Sequence, residues 1–511
     1  MRKILDLLLS RMVVVGFLIC IQLVFLITAI WKLSETFVYL YVLLIIISVA
    51  VVIYIISRTD NPSYKLAWTI PVLLLPVFGG LFYLLFGGKR ISKTLKKQIA
   101  RVSYYTEPLL QQDKSIIDEL EKKDKSIANQ SKYIAKFSTY PIHKNTETEY
   151  LSPGEVFFYK LKKELKKARH YIFMEYFIMQ EGLMWNSILD ILEDKVKEGI
   201  DVRIIYDDVG CLRTLPNKYY KILESKGIQC IVFNKFVPFL SLIMNNRDHR
   251  KITVIDGHTA FTGGINLADE YINEIERFGH WKDASIMIKG EAVWNLTMMF
   301  LQAWDFNKGI RENYEKYRPH IHSTEKFHGD GYVQPYGDSP LDNEMVGESV
   351  YLNIINRAKN YVYITTPYLI VDNELITALI LAAKSGVDVR IITPHIEDKW
   401  YAHIVTRAYY YQLIEAGVKI YEYIPGFMHS KTFVADDEVG VVGTINMDYR
   451  SLYLHFECGV WLYKTKSVFE IKEDFSKTLE LSQNITLEEC KNVKWSNRFI
   501  RSILRVFAPL M

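Results

Sequence analysis

Cysteine is scarce in this chain. Five are scattered through 511 residues (Cys20, Cys211, Cys230, Cys458 and Cys490), with no zinc-type spacing among them. That excludes a disulfide scaffold or a structural zinc knot and fits reduced thiols packed in a cytosolic setting. Excess charge is scarce too: 62 Lys and Arg against 58 Asp and Glu leave a formal +4. A protein that coats nucleic acid carries far more, so no nucleic acid partner is expected. Long apolar runs are mostly confined to residues 1–90. The length exceeds what one hydrophobic core usually organises, so two or more domains are expected.

The apolar runs have the dimensions of a bilayer. Met12 to Trp31 is 20 residues without a charge and Phe37 to Ser57 is 21, each long enough to span. The connector Lys32 to Thr36 is short, which predicts a helical hairpin, and no small-residue cleavage site separates the two segments. Arg2, Lys3 and Arg11 precede the first span. Arg58, Lys65, Lys89, Arg90, Lys93, Lys96, Lys97 and Arg101 follow the second, so both ends of the hairpin and all that follows face the cytoplasm. A third run, Leu66 to Gly88, is interrupted by Pro71, Pro76 and Gly79-Gly80, which favours a re-entrant or interfacial hairpin over a straight crossing.

Beyond a Lys- and Glu-rich connector the sequence repeats itself. Gly199-Ile200-Asp201-Val202-Arg203-Ile204-Ile205 matches Gly386-Val387-Asp388-Val389-Arg390-Ile391-Ile392, and Ala168 to Phe173 resembles Ala358 to Tyr363. Each copy reads helix, strand, helix, strand, short helix, strand, motif strand and a further strand. Short buried runs between amphipathic helices indicate an α/β fold of two sandwich units related by pseudo-two-fold symmetry, after the N-terminal transmembrane hairpin. The divisions read from this pattern are 1–58 (two transmembrane helices), 59–90 (re-entrant or interfacial segment), 91–140 (polar helical connector), 141–320 and 321–483 (the two units) and 484–511. In the last, Trp495, Phe499, Ile503, Leu504 and Phe507 recur at near-helical spacing among Lys494, Arg498, Arg501 and Arg505, which predicts a basic amphipathic helix on anionic lipid.

Within the repeat lies a shorter one. His249-Arg250-Lys251, Asp256 and Gly263-Gly264-Ile265-Asn266 are answered by His429-Ser430-Lys431, Asp436 and Gly443-Thr444-Ile445-Asn446. In both copies Asp follows His by seven positions and Asn by seventeen. On a strand, His249 and Lys251 share a face, as do His429 and Lys431, whereas Asp256 and Asp436 have the opposite parity. The two aspartates therefore read as supports for the motif strand or its turn. Better candidates to orient the imidazoles are Asp283 and Glu457, each near the start of the next strand. Lys251, Lys431, Asn266 and Asn446 supply four donors to phosphate oxygens, a set able to stabilise a pentacovalent phosphorus without a metal. One imidazole can attack phosphorus while the other handles the proton of the departing and incoming alcohols. Asp207-Asp208 resembles a metal pair but has no counterpart in the second copy, so it reads as a cap.

These paired motifs resemble those of the phospholipase D superfamily over roughly residues 145–483. Asn61-Pro62-Ser63-Tyr64-Lys65-Leu66-Ala67-Trp68 and Thr366-Pro367-Tyr368 make the chain similar to bacterial cardiolipin synthases within it. The resemblance implies phosphatidyl transfer from one phosphatidylglycerol to another through a phosphohistidine, with no metal or other cofactor, in the bacterial cytoplasmic membrane. It implies active positions His249, Lys251, Asp256, His429, Lys431 and Asp436, phosphate contacts from Asn266 and Asn446, and His249 as the nucleophile. Phosphatidylglycerol and anionic membrane lipids are the expected partners, and no pattern specifies an oligomeric state. Competing readings are a related phosphatidyltransferase or phospholipase with another acceptor, a nuclease, and a noncatalytic lipid-binding membrane protein.

Overall fold

The computed structural model describes residues 11–75, 78–87, 93–236, 246–322, 324–342 and 344–510. Arg2, Lys3, Pro76, Gly88, Lys89 and Arg90, used above to argue topology, lie outside the described residues.

Helices Arg11–Thr36 and Val38–Ser57 begin the chain, and the second is apolar and long enough to cross a membrane. The third apolar run is not one helix. It forms Pro62–Leu74 and Gly79–Phe86, of 13 and 8 residues, each too short to cross alone. Both pack on Val38–Ser57. Gly80 permits the close approach: its N–H donates to the Ser48 hydroxyl at 3.1 Å, and a Cβ there would lie 2.4 Å from that oxygen. Asn61 caps the first of these helices through the Ser63 N–H and reaches Asp372 and the Tyr453 hydroxyl in the second unit. The apolar N-terminal part is thus fastened to the body by a buried polar hub.

The first unit contains β1 (Thr146–Leu151), β2 (Tyr171–Tyr176), β3 (Asp201–Asp207), β4 (Gln229–Phe233), β5 (Ile252–Ile255), β6 (Thr259–Gly263), β7 (His280–Lys282) and β8 (Ser285–Gly290). All but β7 form one mixed sheet in the order β1-β8-β6-β5-β2-β3-β4, with β2, β3 and β4 parallel. The second unit contains β9 (Tyr332–Asp338), β10 (Tyr361–Thr365), β11 (Leu369–Ile370), β12 (Asp388–Pro394), β13 (Lys419–Tyr423), β14 (Gly426–Met428), β15 (Thr432–Ala435), β16 (Val439–Gly443), β17 (Met447–Asp448), β18 (Glu457–Tyr463) and β19 (Ser482–Asn484). Its main sheet runs β19-β13-β12-β10-β15-β16-β18-β9, the first order reversed with one strand added.

Each unit opens on a strand that the sequence pattern did not announce. β1 and β9 are edge strands antiparallel to β8 and β18. β1 reads Thr-Glu-Thr-Glu-Tyr-Leu and β9 carries Pro335, and such polar or proline-bearing stretches are tolerated at an edge where half the ladder is unused. The helix before β13, Trp400–Glu415, is also longer than its first-unit counterpart Tyr219–Ser225.

The two sheets share a core. Ile286 and Ile288 of β8 meet Val442 of β16 and Val460 and Leu462 of β18, and the nearly wholly buried helix Val293–Lys308 closes this layer. The connector helices Lys114–Lys123 and Lys125–Ser138 send Leu120, Ile127 and Ile134 into the second unit's core. Apolar packing of this extent fixes the units against each other, and the segments leading into the central strands β5 and β15, which carry the two histidine motifs, meet along one seam.

Candidate active site

The seam is built by backbone exchange between the units. His249 N–H donates to the Phe456 carbonyl at 2.9 Å, and His429 N–H donates to the Lys282 carbonyl at 2.7 Å. Each acceptor directly precedes one of the two expected orienting carboxylates, Glu457 and Asp283. A parallel bridge between Asp248 and Phe456 supports the first junction, and the parallel pair β7 and β14 supports the second.

That register crosses the carboxylates over. His249 Nδ1 lies 2.9 and 3.0 Å from the two oxygens of Glu457, and His429 Nδ1 lies 2.6 Å from Asp283 Oδ2. Each imidazole is oriented by the other unit. With Nδ1 protonated toward its carboxylate, Nε2 of each ring keeps its lone pair.

Burial sets the charge states. It pushes His249 down to about 3 against the pull of Glu457, and His429 down to about 4, with Lys431 adding to the effect. Burial alone would raise both carboxyls, but the adjacent imidazoles outweigh it and hold Glu457 and Asp283 below the usual carboxylate range. The resting pairs are therefore ionised carboxylate and neutral imidazole. Lys251 is lowered to about 8 and Lys431 to about 7, by burial first; Lys251 also repels Lys431 and His429. The four motif side chains share one electrostatic enclosure. Both ammonium groups fold back onto the carbonyl of their own motif histidine, and Lys431 Nζ also lies 2.9 Å from His429 Nδ1.

The asparagines are buried beside them. Asn266 accepts from the Ile178 N–H at 2.9 Å and donates to the Tyr271 hydroxyl at 2.8 Å. Asn446 donates to Asp448 at 3.1 Å, while its Oδ1 is buried without a partner. Each amide nitrogen has a second hydrogen available to a phosphate oxygen.

The structure does not bring Asp256 and Asp436 to the imidazoles. Both sit at the far end of the motif strand with positive φ, 50° and 54°. Asp256 accepts from the N–H groups of Arg169, His170 and Tyr171 at 2.8–2.9 Å. Asp436 does the same for Lys359, Asn360 and Tyr361 at 2.7–3.0 Å. Six residues of near-extended chain separate each from its histidine, so a carboxylate there holds the turn and the start of the neighbouring strand. Their place among the active positions is corrected accordingly. Asp207 and Asp208 hold loops: Asp207 takes the N–H groups of Val209 and Gly210 and lies 3.5 Å from Arg247, and Asp208 takes that of Phe236.

Sequence reasoning passed over the walls of the site. His429 is enclosed by Tyr271, Trp281 and Phe427, with ring centroids 5.5, 5.0 and 5.8 Å away. His249 is flanked by Phe177 at 5.1 Å and His455 at 5.6 Å. Trp281 and His455 occupy matching positions, two residues before Asp283 and Glu457, and that parity was a usable signal. Both ring nitrogens of His455 are buried without a hydrogen bond, and its Nδ1 lies 3.7 Å from Glu457 Oε1. The units differ again at Thr444, whose hydroxyl donates to Glu457 where the first unit has Gly264. His249, His455 and Glu457 bring ligand atoms within 4.8 Å of one another, the one such group of metal-ligating side chains found among the described residues. Glu457 is engaged by His249 and the Lys251 charge stands beside them, which opposes a divalent ion.

Known proteins resemble this chain. A family model described as cardiolipin synthase, PLD-like domain, matches residues 161–292 and 351–479, and one described as Phospholipase D-nuclease N-terminal matches 43–88. A cardiolipin synthase of Alkalihalophilus pseudofirmus is 36% identical over 469 residues, covering 91% of this chain and 92% of its own. One of Halalkalibacterium halodurans is 35% identical over 468 residues, with the same coverage of 91% and 92%. In structure, the phosphatidylserine synthase of Haemophilus influenzae aligns with a TM-score of 0.55 over 74% of this chain and 97% of its own; at 15% identity that likeness speaks for the fold. With matching domain models in both units and relatives aligned along nearly the whole length, the chain belongs to the cardiolipin synthase family, built on two phospholipase D-like domains.

Proposed function

We propose that this phosphatidyltransferase joins two phosphatidylglycerols, giving cardiolipin and releasing glycerol. The observation that carries the reading is the crossed pairing of His249 with Glu457 and of His429 with Asp283 inside one buried enclosure.

His249 Nε2 attacks the phosphorus of the first phosphatidylglycerol. The P–O bond to the headgroup glycerol breaks, and that alkoxide takes a proton from His429. His429 lacks this proton before the lipid arrives, because burial keeps it neutral. An anionic phosphodiester beside it favours the imidazolium, so substrate binding loads the acid. The phosphatidyl group then sits on His249 as a phosphoramidate. A hydroxyl of the second phosphatidylglycerol gives its proton to His429 and attacks phosphorus, and the P–N bond breaks. Lys251, Lys431 and the amide nitrogens of Asn266 and Asn446 bind the nonbridging oxygens as negative charge builds up. Glu457 stabilises the cationic character of the His249 ring when it is phosphorylated, and Asp283 does so for His429 when it is protonated.

The membrane supplies the acceptor. Arg11–Thr36 and Val38–Ser57 form a transmembrane hairpin, with Pro62–Leu74 and Gly79–Phe86 as a broken membrane-surface segment, and the two units face the cytoplasm. This tethering presents a high local concentration of lipid hydroxyls to the phosphohistidine. Incubating purified protein with headgroup-labelled phosphatidylglycerol should yield cardiolipin and labelled glycerol in equal amounts, whereas phosphatidic acid as the main product would overturn the transfer reading. Accessibility labelling of single cysteines placed in the 32–36 connector and after residue 93 tests the orientation.

A further inference from the structure

The C-terminal helix Trp495–Phe507 is oriented contrary to what a soluble protein requires. Trp495, Phe499 and Ile503, spaced four residues apart on one face, are exposed by 79%, 55% and 44%. Arg501 and Arg505 lie on the opposite face, half-buried against helix Trp400–Glu415. Arg501 and Arg505 turn inward while Trp495 and Phe499 turn outward, an arrangement stable against an apolar medium and costly in water. The end of the chain fixes that medium's position. Ala508 is buried, and the residues following the helix pack on Pro62–Leu74 of the apolar N-terminal part.

Behind the helix is a cavity of about 440 Å³ lined by Arg407, Lys491, Arg498, Arg501 and Arg505, with no carboxylate among its lining residues. Arg407 is neutralised from outside the cavity by Glu422, at 2.8 and 2.5 Å. Arg505 rests on the Tyr409 ring and donates to Gln412, and Arg498 donates to the Lys491 carbonyl. Arg501 makes no ion pair or hydrogen bond among the described residues. Burial and the neighbouring Arg407 charge push it below the ordinary arginine range, so an anion in the cavity would relieve it.

We propose that this cavity is a second lipid site, separate from the histidine enclosure, holding the headgroup phosphate of an anionic phospholipid whose acyl chains run along Trp495, Phe499 and Ile503. Guanidinium groups suit a phosphodiester because their paired N–H donors match its nonbridging oxygens. The volume accommodates a glycerophosphate headgroup, and the helix that carries the exposed aromatic face also touches Pro62–Leu74 of the apolar N-terminal part. A soluble phosphate would use the arginines and leave that face unexplained. The bound lipid would clamp the C-terminal helix to the second unit at the membrane surface. This inference rests on the membrane reading above and is independent of the chemistry assigned to the histidines.

The test uses the full-length protein carrying His249→Ala and His429→Ala, so that lipid is not converted, in phosphatidylcholine nanodiscs containing a minor fraction of phosphatidylglycerol. Phosphatidylglycerol retained after detergent extraction and washing is measured by mass analysis, with and without added Lys491→Gln, Arg498→Gln and Arg501→Gln. The expected result is at least about tenfold weaker retention in the substituted protein, since three cationic groups facing the phosphate are lost. In detergent without anionic lipid the same three substitutions should leave the melting temperature unchanged, and in the otherwise wild-type enzyme they should leave the transfer rate at saturating lipid unchanged. Equal retention with and without the three basic residues would overturn the proposal. So would displacement of the retained lipid by inorganic phosphate at physiological salt, which would mark a soluble-anion site.

Discussion

Glu457 accepts a hydrogen bond from His249 Nδ1 at 2.9 Å across 208 residues of chain, and its own unit's histidine is oriented by Asp283 instead. In the proposed mechanism each half of the molecule supplies the carboxylate that makes the other half's imidazole a nucleophile or base. Neither unit has a complete site alone.

Substituting the orienting carboxylates should therefore disable the opposite histidine. Glu457→Gln keeps the shape but presents the wrong group to Nδ1, and a comparable exchange in a serine protease triad lowers kcat by about 10⁴. We expect a loss of roughly 10³–10⁴ in kcat for Glu457→Gln, together with loss of phosphohistidine at His249. Asp283→Asn should slow transfer while still permitting some phosphoenzyme to form. Quench-flow with labelled lipid separates the two, and equal phosphoenzyme yields would contradict the crossed assignment.

The histidines themselves should behave unequally. His249→Ala is expected to abolish the covalent adduct. His429→Ala should lower turnover by roughly 10²–10⁴, the usual contribution of a general acid–base, with whatever adduct still forms located on His249. Intact-protein mass measurement after alkaline quench reads the adduct directly, and an adduct mapped to residue 429 would reverse the roles.

The lysines should set the alkaline limb of the pH profile. Lys431, lowered to about 7, and Lys251, lowered to about 8, carry their charge only below those values. kcat/KM should fall as pH rises through that window, and kcat should fall at higher pH because a bound anion raises both. Lys431→Arg should flatten the limb. On the acid side, His249 at about 3 and His429 at about 4 should leave kcat/KM without a step near the ordinary imidazole value of about 6.5. The same depressed values mean that the unfolded chain binds protons the folded site refuses, so stability should decline as pH falls below about 6.5 toward 4.

The motif aspartates should report on folding. Asp256→Ala removes the acceptor of three backbone N–H hydrogen bonds and a residue suited to the left-handed turn. A destabilisation of about 3 kcal/mol is expected, with kcat per folded molecule within a few-fold of wild type. Thermal melts paired with titration of phosphohistidine-forming sites distinguish this from a direct catalytic loss, which would lower kcat at unchanged melting temperature.

The glycine that breaks the symmetry should be intolerant. A Cβ at Gly264 would lie 2.1 Å from Asp283 Oδ1, so Gly264→Ala should displace the carboxylate from His429. Thr444→Val removes a hydroxyl that donates to Glu457 and accepts from the Cys458 N–H but displaces no carboxylate, and it should cost less activity. Transfer assays ranking Thr444→Val below Gly264→Ala in activity would refute this difference between the two halves.

Much was legible before any coordinates. The duplicated His-x-Lys spacing, the two units and the strand parity that set Asp256 and Asp436 apart from the imidazoles all follow from the period of a β-strand, which is local. The crossed carboxylates, the aromatic walls at Tyr271 and Phe427, and the edge strands β1 and β9 were not legible in the same way. Their partners are distant in the chain, and their residue types are ordinary ones for a strand or a core.

The amino-acid sequence by itself determined the chemistry, because reactive side chains and their intervals are written in one dimension. Tertiary structure decided which carboxylate serves which imidazole and which way the last helix faces. Those outcomes depend on the register of backbone bonds across the seam between the units and on the direction in which buried surface could be found. Both are properties of contacts between segments, and no single segment encodes them.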